Sequence, residues 1–112
     1  MVNYYMSLCA NIVEEKNFLI VSGSLNFFSV AKLWHDSLSL LEKKSSLRFD
    51  LSKIVSANSA GLALLLEWLR YAKKKGKLIS FENIPSQLSS IAVVAGIDKI
   101  IFVTENKIVK KT

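Results

Sequence analysis

The residues of this chain best placed to do chemistry are Asn58 and Ser59, an amide and a hydroxyl lying between a strand pattern and a strongly apolar helix. Leu47, Phe49 and Leu51 alternate with Arg48 and Asp50, the period of a half-buried strand. From Leu62 the period changes: Leu62, Leu65, Leu66 and Leu69 recur at helical spacing, and Gly76 stands where a left-handed cap would end the helix. Asn58 and Ser59 therefore fall in the loop or first turn of that helix, where unpaired backbone N–H groups and the positive end of the dipole favour an oxygen or an anion. One of them can be an N-cap and nothing more. The other reading is that Asn58, Ser59, Ala60 and Gly61 present this helix start to a partner.

The remaining reactive side chains do not assemble into an active site. His35 is the only histidine and lies beside Trp34 on an expected helix, without a nucleophile in its pattern. Cys9 is the only cysteine and reads as a small hydrophobe of the first strand. One Cys and one His exclude a Cys/His zinc site within the chain. Gly23 and Gly61 lack the Gly-Lys-Ser/Thr ending of a phosphate-cradling loop, so no cofactor is expected and the chain is read as a non-enzyme.

Several elements must hold the Ser59 junction in place. Met6 to Val13 reads as a weak strand, Glu14 to Asn17 as a polar turn and Phe18 to Val21 as a short buried strand, together an opening hairpin. Ser29 can cap a helix whose face carries Val30, Leu33, Trp34, Leu38 and Leu41. Lys77 to Ile84 reads as a strand, Pro85 opens a helix bearing Leu88, Ile91, Ala92 and Ala95, and Ile100 to Val103 reads as a final strand after Gly96. The order β-β-α-β-α-β-α-β predicts an α/β fold, a mixed sheet with its helices packed mainly on one side.

The helix after Ser59 carries more apolar surface than one stripe. At about 100° per residue, Leu62, Leu65, Leu66, Leu69 and Ala72 form one sector, and Leu64, Trp68 and Tyr71 form a second beside it. The second sector is either the flank of a wide core or a partner-facing patch. In the latter case Trp68 and Tyr71 are residue types that anchor interfaces.

The chain has 112 residues, 51% of them hydrophobic and 21% charged, enough for one core and too few for two. We therefore expect a single domain over 1–112, with its core at about 6–104 and a basic tail at 105–112. The longest apolar run is broken by Glu67 and falls short of the roughly 20 residues that span a bilayer. The start Met1-Val2-Asn3-Tyr4-Tyr5 lacks the features of a secretory signal, and with a lone cysteine a cytoplasmic location is expected. The formal net charge is +6. Lys73, Lys74, Lys75 and Lys77 gather at a helix C-terminus, where cations complement the dipole, and Lys107, Lys110 and Lys111 lie in the tail. These lysines suit a solvated helix end or a peripheral contact with an anionic membrane surface. Nucleic acid is not expected as a partner, because no recognition motif accompanies them.

Asn58-Ser59-Ala60-Gly61-Leu62, a few residues after Asp50-Leu51-Ser52, resembles the junction of the STAS family, the fold of bacterial anti-sigma factor antagonists. The stretch Gly61 to Leu66, with Ala72-Lys73-Lys74 and Gly76, is similar to its MlaB-like branch, as is Ser22-Gly23-Ser24-Leu25-Asn26, which matches a turn of that branch. The resemblance covers roughly Ile12 to Val103 and implies a STAS fold. It further implies a subunit that binds the MlaF-like ATPase of an ABC-type phospholipid transporter, and through it a membrane permease, in the maintenance of outer-membrane lipid asymmetry. Such a subunit would be peripheral to the inner membrane. The contact would comprise Asn26, Asn58, Ser59, Ala60 and Gly61, with Leu64, Trp68 and Tyr71 along the helix. The resemblance also puts Ser59 on the phosphorylatable position of anti-sigma factor antagonists, the alternative function. Asn26 and Asn58 stand where the family commonly has carboxylates, which weakens the phosphorylation reading and leaves docking intact.

Overall fold

A computed structural model describes residues 9–103. Residues 6–8 of the expected first strand and the tail 105–112 lie outside them. Ala10–Glu15 (β1) and Phe18–Leu25 (β2) form the opening hairpin around Lys16-Asn17, a turn two residues shorter than the polar run suggests. Then follow Val30–Glu42 (α1), Ser46–Ala57 (β3), Ser59–Lys75 (α2), Leu78–Glu82 (β4), Ser86–Val94 (α3) and Asp98–Val103 (α4). The sheet runs β1-β2-β3-β4, with β1 antiparallel to β2 and the other neighbours parallel. The mixed sheet is as expected.

Alternation sorts the sheet into two faces. Ile12, Leu19, Val21, Leu47, Phe49, Leu51, Ile79 and Phe81 are buried against the helices, which contribute Leu33, Leu41, Leu62, Leu65, Trp68, Ala72, Leu88 and Ala92. The other face carries Arg48, which bonds Glu82 at 2.9 Å and lies over the Phe18 ring at 4.5 Å. Trp68 settles the question left by the second apolar sector of α2. It is 0% exposed and stacks on Phe49 with centroids 4.3 Å apart, and its Nε1–H donates to Ser37 Oγ on α1 at 3.1 Å. Leu64 is buried as well, and Tyr71 is half-buried with its ring edge-to-face on Trp34 at 6.2 Å. The expectation that Leu64 and Trp68 face a partner is corrected. The helix lies over the sheet centre with α1 against its flank, so both sectors are core.

Two element boundaries also differ. β3 runs on to Ala57, absorbing two irregularities in its pairing with β2, where the apolar alternation stops at Leu51. The final segment is a helix, not a strand. Ile97 N–H reaches back to Ala92 O at 2.9 Å, the same closure that Lys77 N–H makes to Ala72 O at 2.8 Å beyond α2. Asp98 then enters a first turn, where an acid is favoured, so no length is left for the strand that the β-branched Ile100-Ile101 pair suggested.

Removing the indole would empty the centre of this core. Trp68→Ala should cost about 3–5 kcal/mol of stability. Ser37→Ala, which leaves the indole N–H buried without an acceptor, should cost about 1–3 kcal/mol. Denaturant melts of both variants measure these losses.

Candidate functional site

β2 and β3 end side by side, and each runs into a helix through an asparagine whose side-chain oxygen accepts backbone N–H groups. Asn58 Oδ1 accepts Ala60 N–H at 2.9 Å, the N-cap bond of α2, while Asn58 N–H donates to Leu25 O at 3.1 Å. Asn26 Oδ1 accepts Phe28 N–H at 2.9 Å and Ser29 N–H at 3.2 Å. Ser29 occupies the cap position of α1, but its hydroxyl donates instead to Ser24 O at 2.6 Å. Asn26 thus closes the turn that leads into α1, and Ser29 at the cap position makes no side-chain bond to the first N–H groups of the helix. Ser56 Oγ donates to Ser24 Oγ at 2.9 Å and completes a polar seam between the two strand ends. The five-residue match at Ser22 to Asn26 is therefore mostly strand, because β2 extends through Leu25.

The candidate residues separate into exposed and supporting groups. Ser59, the first residue of α2, is exposed, and Asn26 and Asn58 are half-buried. Ala60 is buried, and Gly61 is there for close approach. A Cβ on Gly61 would stand 2.9 Å from Leu25 Cβ and 3.3 Å from Leu88 Cδ2, so only glycine lets α2 start this near to β2 and α3. Gly61, Leu64 and Trp68 fix the site from beneath.

Phe27 and Phe28, absent from the sequence-based candidates, share this end of the molecule and are 73% and 80% exposed. Val55, 75% exposed, stands next to Ser56 of the seam. Phe27 also lines an apolar cleft between α1 and α2 with Val30, Ala31, Trp34, Ala63 and Leu64. The available signal was two successive aromatics between Asn26 and the start of a helix, in a stretch with no apolar period to bury them. This surface can bind through apolar contact, rimmed by the Ser59 hydroxyl and the capped helix ends. Among the described residues no cluster of His, Cys, Asp or Glu is arranged to hold a metal ion. No helix among them is long and apolar enough to cross a membrane.

Asp50, farther back on β3, holds the end of β4. Its Oδ1 accepts Ser52 N–H at 3.0 Å and the Asn83 amide at 3.1 Å. Burial pushes its carboxyl up, but the Ser52 and Asn83 hydrogen bonds outweigh that and hold it below the usual aspartate value.

A parallel β2-β3-β4 core with an antiparallel edge strand and exposed loops at the strand ends is the architecture of the anti-sigma factor antagonist fold. A solved structure described as the anti-sigma factor antagonist SpoIIAA in its unphosphorylated form is similar over 80% of this chain and 83% of that one. Its TM-score is 0.62 at 10% identity, a likeness of fold. The chain belongs to the STAS family: the family described as "Mlab, STAS domain" matches residues 10–105. No curated protein sequence matches it significantly.

Two outcomes test the site's construction. Gly61→Ala should destabilise by about 1–3 kcal/mol, because Leu25 must move, and thermal melts would show it. A carboxyl with a lowered folded pKa stabilises above its unfolded value, about 3.9, and that contribution is lost as pH falls through the folded value. The stability gap between the parent and Asp50→Asn should therefore narrow as urea melts are taken from about pH 7 to about pH 2.

Proposed function

We propose that this chain is a non-enzymatic STAS subunit that docks on the ATPase of an ABC-type phospholipid transporter, and through it on a membrane permease, at the cytoplasmic side of the inner membrane. Its role is to support assembly or activity of that ATPase in maintaining outer-membrane lipid asymmetry. The family match supports the subunit class. The observation that carries the reading is the exposed pair Phe27 and Phe28 beside exposed Ser59 at the paired starts of α1 and α2. Exposed aromatics next to an apolar cleft are the anchors of a protein interface, and the caps hold the loop that carries them. Asn26 and Asn58 keep the cap geometry of carboxylates without their charge, which suits constitutive docking.

A second reading, an anti-sigma factor antagonist released by phosphorylation of Ser59, draws on the exposure of that hydroxyl and on the fold likeness. The two make opposite demands. A transporter subunit alters its ATPase only by binding one of its states better than another, and needs no kinase. A switch adds a charge of roughly −1.5 to −2 at Ser59 and releases its partner.

Co-purification from native membranes should recover an ABC ATPase and permease, and removal of this chain should lower ATP turnover of the reconstituted complex. Phe28→Ser should weaken that association by about 2 kcal/mol or more, with the melting temperature unchanged. Ser59→Lys should also weaken it if the helix start is packed against the partner. Full ATP turnover without this chain, together with stoichiometric Ser59 phosphorylation by an anti-sigma kinase, would replace the first reading with the second.

A further inference from the structure

The net charge of the described residues is concentrated at one end of the molecule. Elsewhere the charges balance in pairs: Lys32 with Asp36 at 2.6 Å, Arg70 with Glu67 at 3.1 Å, Lys53 acting on Asp50, and Lys99 adjacent to Asp98. The other eight cations are Lys16, Lys43, Lys44, Arg48, Lys73, Lys74, Lys75 and Lys77, set against Glu14, Glu15, Glu42 and Glu82. They surround the start of β3, the β1-β2 turn and the C-terminal ends of α1 and α2. Contacts tie these pieces into one surface. Lys77 Nζ donates to Glu42 O and Lys44 O, Leu78 N–H to Ser45 O at 3.0 Å, and Lys44 Nζ to Glu14 at 2.6 Å. Lys16, Lys43, Lys73, Lys74 and Lys75 are exposed, and among the described residues none has an acidic group within ion-pair distance. α2 separates this end from Ser59 by its 17 residues, about 25 Å.

We propose that this basic end is a contact surface for an anionic phospholipid bilayer, leaving the aromatic end free to dock a protein. The proposal stands on the charge distribution and not on the transporter reading. Three observations favour lipid over nucleic acid. The uncommitted cations are all lysines, mobile point charges that suit a diffuse layer of headgroups. The arginine of this end, Arg48, is held by Glu82 and the Phe18 ring. The large exposed aromatics of the described residues, Phe27 and Phe28, lie at the opposite end, so nothing here would stack on bases. Lys73, Lys74 and Lys75 fan around the last turn of α2 at about 100° per residue, so their long side chains ring the helix end beside the end of α1.

The test is co-sedimentation of the full chain at low ionic strength with vesicles of mixed phosphatidylglycerol and phosphatidylcholine, against phosphatidylcholine alone. Binding should be confined to the anionic vesicles and should weaken as salt is raised. The triple variant Lys73→Gln, Lys74→Gln, Lys75→Gln should lose on the order of a hundredfold in affinity, with melting unchanged. Lys32→Gln with Lys53→Gln, away from this surface, should bind as the parent does. Equal binding to neutral vesicles, unaltered binding by the triple variant, or tighter binding to duplex DNA than to anionic vesicles at the same salt would overturn the proposal.

Discussion

The stack of Trp68 on Phe49, with its indole N–H donated to Ser37, is the contact on which the rest of the structure depends. It joins three elements at one point. Phe49 belongs to the central strand and touches Phe81 of β4, Trp68 sits midway along α2, and Ser37 lies on α1, where its hydroxyl also donates to Trp34 O at 2.7 Å. A ring this large, fully buried and oriented by a hydrogen bond, fixes the rotation of α2 about its own axis as well as its height above the sheet. Once that rotation is set, Gly61 must face Leu25 and Ser59 must face outward. The exposure of Ser59 is therefore a consequence of packing nine residues farther along the helix.

The strand ends show how a site can keep its shape while losing charge. A helix N-terminus needs an oxygen to receive its unpaired N–H groups, and an amide supplies one as well as a carboxylate does. Asn58 fills that role for α2 and Asn26 does the same for the turn before α1, while Asn58 N–H also ties α2 to β2 through Leu25 O. What the amides do not supply is the negative field beside Ser59. This end presents aromatic side chains and a neutral hydroxyl, whereas the opposite end carries the unbalanced lysines of the described residues. Apolar contact tolerates salt and charge contact does not, so under the two proposals the ends would respond differently to ionic strength.

The secondary-structure order through β4 and α3, the cap at Gly76 and the family itself are legible in the sequence, because each rests on local chemistry or on a contiguous motif. Alternation marks Leu47, Phe49 and Leu51 whatever surrounds them, and a helix start at Asn58 follows from the change of period. The C-terminal segment departs from its local pattern for the same reason: Ile100-Ile101 has strand propensity, and only the closure at Ile97 commits the chain to another helix.

Tertiary structure decided what no local pattern could. The second apolar sector of α2 is compatible with core or with interface, and it became core because α1 packs on its flank and offers Ser37 and Trp34. Ser29 holds the cap position of α1 without capping it, because its hydroxyl is turned back to β2, donating to Ser24 O and accepting Asn26 N–H. Phe27 and Phe28 belong to no apolar period, and only the fold shows that the turn between β2 and α1 leaves them exposed beside the starts of two helices. Sequence determines which residues seek burial or a hydrogen bond. Which of them obtain it depends on the neighbours that distant parts of the chain bring within reach.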